Sequence, residues 1–205
     1  SIFYDDVKQM NDEALVTLTV INLFRELGLD QSVEVRHYFD IPLSAGFGAS
    51  AAGALGTAFA LNDLFDFNLP KEDIFQIAHR AEVQNYTGLG DVIGLYQGGL
   101  EIRSKPGAPG IGQTESLFNP DDLQIATITF GKLSTAQILT DPVYKKRIKE
   151  EGNKLINKLI REPTLLNFGL LSREFCEHVA LKTSNIDRIF SVIQEPLIVS
   201  QIMLG

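Results

Sequence analysis

The sequence predicts an α+β fold, and three observations carry that reading. One segment alternates apolar and polar side chains with a period of two, and several others repeat apolar residues at helical spacing. The elements are also grouped, a strand-helix-hairpin half being followed by a half with one strand and then helices. From Asp6 to Leu27, Val7, Met10, Ala14, Leu15, Leu18, Ile21 and Leu23 recur as one helical stripe, and Gly28 stands where the helix should stop. Ser32 to Asp40 sets Val33, Val35, His37 and Phe39 against Glu34, Arg36 and Tyr38, which is a strand pattern. Ala49 to Leu64 is an Ala-rich helix with Gly53 and Gly56 inserted. Those glycines cost helix propensity unless something packs closely on them, so this helix should lie in the core.

Pro70, with Glu72 and Asp73 behind it, opens a helix that runs to Tyr86, its acids placed near the positive end of the dipole. Thr87-Gly88-Leu89-Gly90-Asp91 breaks it. Val92 to Tyr96, the turn Gln97-Gly98-Gly99 and Leu100 to Ser104 form a predicted β-hairpin, and Lys105 to Gly112 is a loop by composition. A domain boundary is expected just beyond it, near Thr114, giving domains 1–113 and 114–205. In the second half Leu123 to Phe130 is a β-prone run, and helices are predicted over Val143 to Arg161, Leu165 to Leu181 and Ile186 to Ile193.

Charge and cysteine content narrow the function. With 26 acids and 18 bases the 205-residue chain carries a formal charge of −8 and no long basic run, which argues against nucleic acid and anionic membranes as partners. Cys176 is the single cysteine, which excludes an intrachain disulfide framework and a cysteine-rich zinc site and suits a reducing cytoplasm. The 22 uncharged residues from Ile41 to Asn62 are long enough on paper to span a bilayer. Pro42, Ser44, Gly46 and Gly48 break that stretch, so it reads as a loop feeding a buried helix.

That loop, Pro42-Leu43-Ser44-Ala45-Gly46-Phe47-Gly48-Ala49-Ser50-Ala51-Ala52, is the most informative segment. Unpaired N–H groups at a helix start suit phosphate, and glycine lets the backbone approach it. A tight turn into a closely packed helix would use the same residues. No Lys-Ser/Thr pair follows, so a Walker loop fails. Gly46-x-Gly48-x-x-Ala51 fits the loose dinucleotide pattern with Asp66 downstream, yet Asn62 to Pro70 is a short connection and not the strand that pattern needs.

The segment resembles the phosphate loop of the GHMP kinases, Pro-x-x-x-Gly-Leu-Gly-Ser-Ser-Ala-Ala, with Phe47 for the Leu and Ala49 for the first Ser. Its Ser-Ala-Gly-Phe-Gly-Ala-Ser form is similar to that of the archaeal pantoate kinases. So are Gly90-Asp91-Val92 through Gly98-Gly99-Leu100 with Arg103 and Pro106-Gly107, and the run Ser200-Gln201-Ile202-Met203-Leu204-Gly205. The resemblance implies an N-terminal ATP-binding domain like domain 2 of ribosomal protein S5 and a ferredoxin-like C-terminal domain. It further implies that strands precede Ser1 and that chain continues past Gly205.

The implied activity is ATP-dependent phosphorylation of pantoate to 4-phosphopantoate for coenzyme A synthesis. A kinase of mevalonate or homoserine, or a non-catalytic protein keeping the fold, is the alternative. The implied cofactors are ATP and Mg²⁺, and a homodimer is compatible with the family. Pro42, Ser44, Ala45, Gly46, Phe47, Gly48, Ala49, Ser50 and Ala51 would cradle the nucleotide. Ser50 and Glu82 would hold the metal, Asp91 would engage the acceptor hydroxyl, and His79 and Arg103 would contact the substrate carboxylate. Each has a plainer alternative: a solvated acid for Glu82, a packed ring for His79, a turn-closing aspartate for Asp91 and a surface ion pair with Glu101 for Arg103. The Lys145-Lys146-Arg147 cluster with Lys149, Lys154 and Lys158 reads as the solvated face of a helix, and Cys176 as core.

Overall fold

The computed structural model describes residues 1–10, 14–118, 123–131, 135–179, 181–193 and 197–201. Its first sheet is formed by β1 (Ile2–Tyr4), β2 (Val7–Lys8) and β3 (Val35–His37), in the order β2-β1-β3. β1 runs antiparallel to β2 and parallel to β3, with Phe3 opposite Lys8 and Arg36. The helix α1 (Leu15–Glu26) makes the crossover between the parallel pair. The helix expected from Asp6 therefore begins later, because Val7 and Lys8 pair with β1 across a turn in which Asp5 and Asp6 take positive φ. The period-two pattern of 33–40 survives as exposure: Val33, Val35, His37 and Phe39 are half-buried while their neighbours are exposed, although only three residues join the ladder.

Helices α2 (Ala49–Leu64) and α3 (Lys71–Asn85) form where their sequences predict them. One face of α2, with Ala51, Ala54, Leu55, Ala58 and Leu61, packs with Val20, Phe24, Ile74, Phe75 and Ala78 into the main apolar core. Gly53 has its expected close neighbour, since a Cβ there would stand 3.4 Å from His37 Cε1. Gly56 does not: it faces open space.

Residues 92–96 are not a strand. They belong to a short helix, α4 (Asp91–Gln97), in which Val92 and Ile93 are buried. Val92 joins the main core, and that burial outweighs the β-propensity of a Val-Ile-Leu-Tyr run. The hairpin is made instead by β4 (Leu100–Lys105) and β5 (Gln113–Phe118), antiparallel around the loop 106–112. Thr114, the expected boundary, lies inside β5 opposite Arg103, so a division there would cut paired strands.

From Thr135 onward the described elements are helices: α5 (Thr135–Thr140), α6 (Pro142–Arg161), α7 (Leu165–Val179) and α8 (Ser184–Val192). Asp141 caps α6 by accepting from the Val143 and Tyr144 N–H groups at 2.7 and 3.2 Å, with Pro142 at the first helical position. The strand expected over Leu123 to Phe130 does not form. The residues carry no strand assignment, and Ile125 and Ile128 are exposed. β-propensity is realised only when a run pairs into a ladder, and these residues pair with none of the described strands. Residues 202–205 of the final motif lie outside the described residues.

A second apolar cluster joins Ile102 of β4 to Leu155, Leu159 and Leu171 of α6 and α7. The basic residues of α6 are solvated as expected, Lys146 pairing with Glu150 and Lys158 with Glu174. Cys176 is buried, its thiol 3.7 Å from the Gln201 carbonyl oxygen. No described helix is long and apolar enough to cross a membrane.

Candidate active site

The site is built where two irregular segments and the strand β4 meet the start of α2. In the first of them, residues 41–48, Ser44, Gly46 and Gly48 all take positive φ, a winding that glycine adopts without a Cβ penalty. Gly48 is the N-cap of α2 and no side chain caps that end, so the N–H groups of its first turn are left to an external acceptor. No acid sits in that turn.

Ser50, in the first turn of α2, donates to Glu82 Oε2 at 3.0 Å. Glu82 comes from the last turn of α3 and is 1 % exposed, an unusual state for a carboxylate. Its second oxygen accepts from Thr87 Oγ1 at 2.7 Å. Burial pushes the Glu82 carboxyl above its ordinary range, and the bonds from Thr87 and Ser50 pull it back in part. A solvated helix acid, the plainer reading, does not describe this residue.

Asp91 opens α4 directly after the turn. Gly88 sets the two acids together, because a Cβ there would stand 2.5 Å from Glu82 Oε2 and 2.6 Å from Asp91 Oδ2. Gly48 borders the same aspartate, its would-be Cβ 3.8 Å from Asp91 Cβ. Asp91 Oδ2 is buried with no hydrogen-bond partner among the described residues. Burial raises the Asp91 carboxyl to about 7; Arg103 draws it down, and the charges of Glu82 and Glu101 push it up.

Arg103 reaches the cluster from β4. Its Nη1 occupies the space over Gly90 that a Cβ would need, and its Nε is 3.0 Å from Glu101 Oε1. Ser50, Glu82, Asp91 and Arg103 are thus brought around the turn 87–90. His79 is set apart from them. Its ring lines a hollow of about 450 Å³ with Leu23, Leu27, Gln76 and Ala108, which includes none of those four. His79 Nδ1 is buried without a partner among the described residues, and burial lowers the imidazole pKa.

The donor set is one of hard oxygens with a cationic fork opposite. A hydroxyl and a carboxylate 3.0 Å apart, beside an orphaned carboxylate oxygen, suit a small divalent cation that takes its remaining ligands from phosphate and water. Among the described residues no group of three or more His, Cys, Asp or Glu could hold a metal alone. Beside the loop lies a cavity of about 480 Å³, lined by Phe39, Ile41, Pro42, Leu43, Ala45 and Thr129.

Comparison with known proteins places the chain in a family. The family model of the GHMP kinases N terminal domain matches residues 14–99. A pantoate kinase of Thermococcus kodakarensis is 40 % identical over 198 residues, 95 % of this chain and 64 % of that protein. A pantoate kinase of Methanocaldococcus jannaschii is 37 % identical over 205 residues, covering 100 % of this chain and 73 % of that protein. The chain belongs to the GHMP kinases. A solved structure named "Phosphotransferase related to CoA biosynthesis pathway" superposes on this GHMP kinase with a TM-score of 0.77 and 34 % identity, over 100 % of this chain and 68 % of that one. Mixed α and β content is therefore the fold of the family.

Three members of the site were not singled out from the sequence of this GHMP kinase. Thr87 fixes Glu82 from five residues on, and a hydroxyl at the end of a helix was the available signal. Gly88 makes room for two carboxylates, and only the double-glycine turn hinted at it. Glu101 was expected merely to share a face with Arg103, yet its side chain is 10 % exposed against 44 % for Arg103.

Proposed function

We propose that this chain is the catalytic part of an ATP-dependent kinase that phosphorylates the hydroxyl of pantoate, giving 4-phosphopantoate on the way to coenzyme A. The observation that carries the reading is the meeting of Ser50, Glu82 and Asp91 at the uncapped start of α2. The chain spans 64 % and 73 % of the two pantoate kinases named above, so the whole-protein activity belongs to this proposal.

The phosphates of ATP would lie on the loop 42–51, where the N–H groups of Gly48 to Ala51 and the dipole of α2 offset their charge. Ser50 and Glu82 would hold Mg²⁺. When bound, that ion neutralises charge on the phosphate oxygens. Asp91, with an oxygen unclaimed by the protein, would accept the hydrogen of the attacking hydroxyl and hold it in line. Its position about 7 on the pH scale suits a group that takes and returns a proton near neutrality. Arg103 offers a planar fork to the substrate carboxylate. His79, which lines a separate hollow, is not carried into this reading as a carboxylate contact, and that role falls to Arg103.

We read the chain as the family's two domains, S5-like before and ferredoxin-like after, with the passage beyond Phe118, where no β4–β5 pair is divided. A cytoplasmic setting is part of the same proposal. The test is release of ADP with pantoate, mevalonate and homoserine in turn. Turnover of pantoate well above the other two is expected; clear turnover of another alcohol without pantoate would remove pantoate from the reading.

A further inference from the structure

We infer that Glu101 is a positioning residue for Arg103: its ion pair on the Nε side sets the guanidinium so that the two Nη groups face the acceptor's carboxylate beside Asp91. The inference rests on the reading of this site as a kinase of a small hydroxy acid.

Glu101 and Arg103 are two residues apart on β4 and so stand on one face of the strand. Ile102 between them points the other way, into the cluster with Leu155, Leu159 and Leu171, which fixes the strand's orientation. A surface ion pair leaves both partners in water and contributes little. Here the Glu101 side chain is 10 % exposed and its Oε2 is buried with no hydrogen-bond partner among the described residues. The fold thus accepts the cost of a partly desolvated carboxylate next to one guanidinium nitrogen.

That placement is also provided for by α4. A Cβ at Gly94 would stand 3.3 Å from Glu101 Oε1, so any larger side chain there would crowd the carboxylate. Guanidinium can bind a carboxylate through Nε and one Nη, or end-on through both Nη groups. With Glu101 Oε1 3.0 Å from Nε in an ion pair, a second anion is kept off that side of the guanidinium, and end-on approach is left to the substrate. Nη1 already lies over Gly90, one residue before Asp91. Glu101 is the ion-pair partner of Arg103 among the described residues, and the Arg103 side chain is 44 % exposed, so an acceptor can reach it.

The consequence is a division of labour in which Glu101 never touches the substrate. Glu101→Ala should raise KM for pantoate roughly tenfold while kcat and KM for ATP change by less than about threefold. Glu101→Gln, which keeps an oxygen toward Nε, should lose less. In an Arg103→Ala background the Glu101→Ala change should add nothing, because its only route to the substrate is gone. The inference is overturned if Glu101→Ala and Glu101→Gln leave KM for pantoate unchanged, if KM for ATP rises by the same factor, or if the loss persists in full without Arg103. A wild type that turns over another alcohol and not pantoate overturns this inference together with the assigned substrate. A wild type active on pantoate, with Glu101 variants indistinguishable from it, overturns the inference alone.

Discussion

Asp91 shows how a single residue sets stability against activity. In the unfolded chain its carboxyl titrates near 3.8, and in the fold near 7. The folded state therefore holds a proton that the unfolded state has released between those values, so stability falls as pH rises from about 4 to 7 and is then level. The raw shift is equivalent to roughly 4 kcal/mol; since Asp91 is only partly buried, a contribution on the order of 2 kcal/mol is the appropriate figure. Asp91→Asn keeps the shape and removes the charge. Thermal unfolding of that variant should be several degrees higher than wild type at pH 8, and the difference should shrink toward pH 4. Its kcat should fall by about 10²–10⁴, the ordinary range for losing a proton acceptor. A variant whose unfolding shows the wild-type pH slope would mean that Asp91 is not the group that titrates. Of this residue the sequence shows only that it follows two glycines. Its burial and its orphaned oxygen depend on neighbours such as Gly48 and Arg103 that lie on other elements, and its nearness to Glu82 on the winding of the turn between them, which no local pattern records.

Among the elements, those written by local periodicity were legible: α2, α3 and α6 lie within a residue or so of where their apolar stripes and end signals put them. The misread ones depended on partners. Residues 92–96 have strand-like composition and fold as helix because Val92 and Ile93 are buried, while 123–130 has equally strand-like composition and pairs with none of the described strands. The turn 87–90 between α3 and α4 is the element on which the site depends, and Gly88 is its narrowest point. Adding a methyl group there presses on Glu82 Oε2 and Asp91 Oδ2, which are the far ends of side chains and can rotate away without moving backbone. Gly88→Ala should therefore fold, with unfolding shifted by no more than about 1 kcal/mol, the usual scale of a tolerated glycine substitution. The Mg²⁺ concentration giving half-maximal rate should rise about tenfold or more. Unaltered Mg²⁺ dependence would show that the two carboxylates need not sit together.

At the scale of the molecule, the site draws on two apolar clusters. Ser50, Glu82 and Asp91 sit on helices packed in the main core, whereas Arg103 rides on a strand pinned by Ile102 to Leu155, Leu159 and Leu171. The chain's charge of −8 makes this arrangement consequential, because two anionic substrates must be held by a few local positive groups in a net negative protein. Loosening either cluster should then affect a different substrate. Leu159→Ala removes a buried side chain from the second cluster and should cost about 2–4 kcal/mol, as large-to-small core changes do. Leu61→Ala, in α2, should cost a similar amount in the main core. If the clusters position separate halves of the site, Leu159→Ala raises KM for pantoate several times more than KM for ATP, and Leu61→Ala does the reverse. Steady-state kinetics well below the unfolding temperature of both variants decides it. Equal effects of both variants on the two KM values would mean that the clusters act as one body. In that case the hairpin would carry Arg103 without independently setting its distance from Asp91.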